Sequence, residues 1–192
     1  ARAAANDVDD VDAARAAAPT DYAQFALNTQ DFSYPDKSAA TVAHVLDIHE
    51  RYGVPVDIYL TDTILRLYQT VAPELVARLR TSPVAEVSSH DRPPRPYHTG
   101  YDWLGLGAMS DADQRAVILR YETHAVDPVT GQTMDEPGGY AYIGDVIGYK
   151  PWIGAFLSDP GIAPNVAAVF QQLGARMRIV HGRIVNAGER ID

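Results

Sequence analysis

The feature that most constrains this chain is a helix-length run that stops at a glycine and passes at once into a β-branched run. Residues 37–52 carry Val42, Val45, Leu46 and Ile48 at helical spacing, with Ser38 or Thr41 able to start the helix and Gly53 to end it. Residues 54–61 (VPVDIYLT) are too rich in β-branched and aromatic side chains to prefer a helix and read as a strand. Upstream, residues 24–29 (QFALNT) read as a buried strand. Strand, helix and strand joined by short loops form the unit of a parallel, right-handed crossover.

The same grammar repeats downstream. Residues 63–80 place Leu65, Leu67, Tyr68, Val71, Leu75, Val76 and Leu79 on an apolar face, and Pro73 divides them into two shorter helices. A third strand follows over 84–89 and ends at His90. Ser110 and the acids after it start a helix that runs to the Asp127-Pro128 stop. Glu122 and His124 lie two apart on that helix, do not share a face, and read as solvated surface rather than a metal pair. Turns at 129–131 and 137–139 precede a short helix over 140–147 closed by Gly148. A short strand over 152–156, a helix over 164–173 stopped by Gly174, and a strand from 177 that ends at His181 complete the order. The fold class is therefore α/β with a parallel sheet, as one domain over 21–192 after a flexible Ala- and Asp-rich segment over 1–20.

Composition narrows function by exclusion. With 192 residues and 46% of them hydrophobic, the chain can bury a sizeable core. A formal net charge of −9 argues against nucleic acid or an anionic membrane as the main partner. The absence of cysteine excludes disulfides and thiolate zinc sites, so a metal would need His, Asp or Glu. No apolar run approaches the roughly 20 residues that span a bilayer. The sequence leaves the compartment open, with export slightly favoured over the cytoplasm because the N-terminal segment suits a processed exported protein.

In parallel α/β folds, ligands bind at the carboxyl ends of the strands. Asp31, just after the first strand, His90 and His181 are the polar residues delivered there, although a strand-to-helix Asp more often only caps. Asp31 and His90 are expected to end neighbouring strands within about 8 Å of each other, the reach of two ligands on one ion. His44 and His49 read as structural residues of a helix face. The long segment 91–109, rich in Pro and Gly, carries Tyr97, Tyr101 and Trp103 and reads as an ordered loop over the mouth.

These motifs resemble the polysaccharide deacetylases of the NodB type, a carbohydrate-esterase superfamily with a deformed (β/α) barrel. Asn28-Thr29-Gln30-Asp31-Phe32 looks like the family's first-strand motif, with Asp31 at a metal position and Gln30 where the family has its base. The helix over 39–52 followed by residues 53–61 looks like the family's H-x-x-G-x-P-A-T-x-F-V segment, and Ala85-Glu86-Val87-Ser88-Ser89-His90 like its histidine motif, with Pro94 where a second histidine stands. Arg95-Pro96-Tyr97 echoes a further motif, and Ile179-Val180-His181 resembles the last. The resemblance covers residues 24–90 and 177–181 and, with five strands against the family's seven or so, implies a barrel that is truncated here, completed by a second copy or a partner chain, or that of a distant relative. It implies a metal-dependent hydrolase removing acyl groups from a carbohydrate, with a divalent ion, zinc by its donors, on Asp31, His90 and His98. Asp31 and His181 would be catalytic, and Tyr97, Tyr101 and Trp103 would stack on sugar rings. Gln30 and Pro94 favour the alternative, a non-catalytic carbohydrate- or protein-binding module on the same barrel. A third reading, a different hydrolase, would draw its base from Asp57, Asp62 or Asp102.

Overall fold

The computed structural model describes residues 24–29, 33–90, 105–127, 129–155 and 161–179. Five strands, β1 (Ala26–Thr29), β2 (Val56–Leu60), β3 (Ala85–His90), β6 (Ile153–Ala155) and β7 (Met177–Ile179), form one sheet in that spatial order. Every neighbouring pair is parallel. The parallel α/β architecture expected from the sequence is thus present. Because the order is sequential, each crossover steps the same way along the sheet, and right-handed crossovers then stack the helices on one face.

Burial bears this out. Val56, Ile58 and Leu60 of β2 and Val87 of β3 join one core with Val42 and Leu46 of α1 (Pro35–Tyr52), Ile64, Leu65 and Tyr68 of α2 (Asp62–Val71), and Leu75 and Leu79 of α3 (Pro73–Thr81). Pro73 occupies the first turn of α3, where a missing N–H breaks no helical bond, and this is why the run divides there. Gly53 caps α1 at φ 63°, a left-handed conformation that glycine adopts without strain. On the outer surface Arg78 ties α3 to α1: it reaches Glu50 through both Nε (3.1 Å) and Nη2 (2.7 Å), and Asp47 at 2.8 Å. The Arg78 hydrogen bond, helped by Ser82, holds the Glu50 carboxyl below the ordinary range.

A second core forms where α4 (Asp111–Thr123) packs on α6 (Ala163–Leu173), with Ile118, Tyr121, Val166, Val169 and Phe170 at its centre. Ser110 caps α4 by accepting the Asp113 N–H at 3.3 Å. The helix ends at Thr123 rather than running to Asp127. Residues His124–Val126 instead form β4, antiparallel to β5 (Thr133–Pro137) in a separate two-stranded sheet. Asp127 turns this hairpin, its Oδ1 accepting the N–H groups of Val129 (2.8 Å) and Thr130 (2.7 Å). Those backbone bonds, Thr130 first, keep its carboxyl low.

Helix α5 (Gly139–Ile147) is held at its start by two buried acids. Asp62 accepts the Gly139 N–H at 2.9 Å and Glu122 accepts the Tyr140 N–H at 3.1 Å. Carboxylates at a helix N-terminus satisfy orphan N–H groups and complement the positive end of the dipole. Glu122 is 1% exposed, so the solvated surface role expected for it is corrected. The Gly138-Gly139 backbone presses against α4 and β4 so closely that a side chain on Gly138 would lie 2.2 Å from the Ala125 nitrogen.

Candidate functional site

The sheet face away from the helices is where the strands carry polar groups. Since Val56, Ile58 and Leu60 point to the helices, pleat alternation turns Asp57 and Tyr59 the other way. Register adds Ala26 and Asn28 from β1, Glu86, Ser88 and His90 from β3, and Ile153 from β6 to that face. Tyr59 and Ile153 pack there as a small apolar contact apart from the helix-facing core.

His90 occupies the carboxyl end of β3, the middle strand of the sheet, and is half-buried. Its ring meets Tyr59 edge to face, with centroids 6.3 Å apart and planes at 88°. That geometry suits two aromatic quadrupoles and orients the imidazole. Nearby strand ends are held by threonines. Thr29 donates to the Tyr59 carbonyl at 2.8 Å, and Thr61 caps α2 by accepting the Ile64 N–H at 3.2 Å.

Below His90 on the same face lie three polar side chains in a compact set. Asp57, Tyr59 and Ser88 are 7%, 1% and 0% exposed. Among the described residues, neither Asp57 oxygen, nor the Tyr59 or Ser88 hydroxyl, has a hydrogen-bond partner of ordinary geometry. Burial raises the Asp57 carboxyl above the ordinary range, opposed by its nearby hydroxyls, Ser88 and then Tyr59. The Tyr59 phenol is raised by burial first and then by the Asp57 charge. Glu86, exposed at its edge of the face, is raised by partial desolvation and then by the Asp57 charge. Tyr149 accepts the Val87 N–H at 2.9 Å, and burial, with the charges of Glu86 and Asp57 adding, pushes its phenol up to about 12.

Of the metal, catalytic and sugar-stacking residues that the family resemblance implies, His90 is the one that falls among the described residues. Asp31, Tyr97, His98, Tyr101, Trp103 and His181 lie outside them, as does Asp102. The expectation that Asp31 and His90 end neighbouring strands is corrected, because β2 stands between β1 and β3. Two strand spacings separate the axes by about 10 Å. Among the described residues no group of three or more His, Asp or Glu is placed to hold a metal ion. Asp62, a base in the third reading, is occupied as the cap of α5, whereas Asp57 faces the polar side of the sheet. His49 is structural: its Nδ1 lies 2.8 Å from the Val54 carbonyl and its ring stacks edge-on to Phe25.

The grouping of Asp57, named from the sequence only as a possible base, with Tyr59 and Ser88 is what sequence reading missed. Its signal was available in the alternation of Asp57 and Tyr59 within an otherwise apolar strand. Ser88 joins them only once register places it beside Tyr59.

No protein-family model matches the chain, and no curated protein matches it. Among solved structures, the 4-alpha-glucanotransferase from Thermococcus litoralis is similar with 12% sequence identity and a TM-score of 0.45. The match covers 79% of this chain and 21% of that one, so the chain spans about a fifth of its neighbour's length. No helix among the described residues is long and apolar enough to cross a membrane.

Proposed function

We propose that this chain is a metal-dependent hydrolase that removes acyl groups from a carbohydrate, working at the carboxyl end of the parallel sheet. The observation that carries the reading is His90, a half-buried imidazole at the end of the central strand and on the polar face. Polysaccharide deacetylases, which the motifs around residues 24–90 resemble, bring their metal ligands to this end of a (β/α) barrel. On this reading the five strands are part of such a barrel, closed by a second copy or a partner chain.

Asp31, His90 and His98 would hold the ion, Asp31 by reaching across the end of β2 from beyond β1, since the β1 and β3 axes alone are too far apart for two ligands of one ion; one carboxylate with two imidazoles suits zinc. When bound, the ion supplies Lewis-acid polarisation of the substrate carbonyl. The chain's own residues do the rest. Tyr59 fixes the plane of the His90 ring, His181 protonates the leaving oxygen, and Tyr97, Tyr101 and Trp103 orient the sugar by stacking. Gln30, where the family has its base, cannot accept a proton as a carboxylate does, so Asp31 would serve catalysis by holding the ion.

The test is elemental analysis of protein purified without chelators, followed by acetate release from acetylated oligosaccharides. Metal content and acetate release should both fall in folded His90→Ala and Asp31→Ala. If both stay at wild-type levels, the hydrolase reading is wrong, and retention on immobilised glycans that Trp103→Ala abolishes would establish the binding module in its place.

A further inference from the structure

An apolar stripe on α1 lies open beside β1, the strand at one edge of the described sheet. Thr41, Val45, Ile48 and Tyr52 follow one another at spacings of four, three and four, so they line one side of the helix. Val45, with Leu27 of β1, packs against the helix-facing core, and Phe25 meets His49 edge-on at the foot of the stripe. Phe25, Ile48 and Tyr52 are nevertheless 49%, 45% and 70% exposed. Single exposed apolar side chains need no explanation, but a row at the spacing of a helix–helix seam does.

Charges around the stripe are sorted by sign. Lys37, His44 and Arg51 run along its outer flank, and among the described residues none of the three is in an ion pair. Asp36, Asp47 and Glu50 lie on the other side of α1, where Arg78 holds the last two. A helix that covers the stripe therefore needs apolar residues at the same spacing with acids beside them. A second copy does not supply this, because two α1 helices packed antiparallel about a twofold axis would set their basic rows together.

The chain's own N-terminal segment does supply it. Ala4, Val8, Val11 and Arg15 repeat the four-three-four spacing, and Asp9 and Asp12 share one flank of it. This segment lies outside the described residues, which begin at Gln24. The chain enters β1 at Phe25, whose carbonyl accepts the Asp57 N–H at 2.9 Å and whose ring lies beside the C-terminal end of α1. A helix over 4–17 would be about 20 Å long beside the roughly 27 Å of α1, and residues 18–24 are enough to join its end to Phe25. We infer that residues 4–17 dock on this stripe as a helix parallel to α1. In that register Val8 meets Val45, Val11 meets Ile48, Arg15 lies over the Tyr52 ring, and Asp9 and Asp12 face the basic row. The docking uses none of the proposed metal ligands.

The chain has no cysteine, so an introduced pair reports the contact in the whole chain. Val8→Cys with Val45→Cys should form a disulfide within one chain on mild oxidation, read by mass spectrometry of unreduced tryptic peptides. Asp10→Cys with Val45→Cys, whose first partner points away from the seam, should form much less. Hydrogen exchange of the unsubstituted chain should show the amides of residues 8–17 slowed about tenfold or more against the same segment as a free peptide. Ile48→Asp, at a position exposed in the fold, should return them to the peptide rate while the amides of α1 and the sheet stay protected. Equal cross-linking of the two pairs, or exchange at the peptide rate in the unsubstituted chain, would overturn the docking. A disulfide formed mainly between chains would overturn it as well and assign the stripe to a second copy. Neither readout needs metal or turnover, so failure here and failure of the hydrolase reading are separate results.

Discussion

Replacing Glu122 with alanine should destabilise the fold far more than its place among Arg, Tyr, Thr and His would suggest. Its carboxylate is buried and accepts the Tyr140 N–H at 3.1 Å at the start of α5. Losing a hydrogen bond to a charged acceptor costs about 1.5–3 kcal/mol. Losing an anion at the positive end of a helix adds about 0.3–1 kcal/mol. Together they give about 2–4 kcal/mol, and at roughly 2–4 °C per kcal/mol for a chain of this size the midpoint should fall by about 4–16 °C. Glu122→Gln keeps a carbonyl acceptor and should lose about 1 kcal/mol, the charge-dependent share. Urea unfolding followed by circular dichroism, with thermal melts beside it, measures both. A Glu122→Ala change within about 0.5 kcal/mol of wild type, the range of plain surface substitutions, would refute the capping role.

Three further outcomes follow from named contacts. Asp57 and Glu86 have raised carboxyls, so the folded state holds more protons than the unfolded one above the ordinary carboxylate range. Stability should thus be greatest below that range and fall as pH rises through the folded values, by at most about 1.4 kcal/mol per pH unit for buried Asp57 and by less for exposed Glu86, which solvent screens; urea unfolding at a series of pH values should show a shallower fall in Asp57→Asn. Gly138→Ala forces a methyl against the Ala125 backbone nitrogen at 2.2 Å and should cost about 3 kcal/mol or leave the protein unfolded, as read by its melting midpoint. Arg78→Ala removes the α1–α3 tie at a partly exposed site and should cost about 1 kcal/mol, with wild type approaching the variant at high salt. Because Glu50 is held low, the tie should also weaken as pH falls through its folded value.

The parallel sheet was legible because local signals agreed with the global fold. Gly53, Gly148 and Gly174 each adopt positive φ at a helix end, and Pro73 sits in the first turn of α3. The β4–β5 hairpin was not legible. The spacing of His124–Val126 gives no break after α4, and what holds the hairpin turn is the Asp127 side chain gripping its own backbone two and three residues on. Glu122 read as surface because its partner, the Tyr140 N–H, lies 18 residues away and is supplied by a loop that only two glycines allow to approach. Asp57 and Ser88 stood in the text as single polar residues within strands, and register across β2 and β3 is what makes them neighbours. His90 was placed at a strand end by the extent of the run before it. Its distance from Asp31 depends on strand order, which local pattern does not encode, and β2 intervenes.

The central claim, that His90 ligates a catalytic ion at the carboxyl end of the sheet, is tested most directly by X-ray absorption at the zinc edge of zinc-loaded protein. The account predicts a shell of two imidazoles and one carboxylate at about 2.0–2.2 Å, completed by solvent, and one imidazole fewer in folded His90→Ala. A shell without imidazole, or one that His90→Ala leaves unchanged, would contradict it.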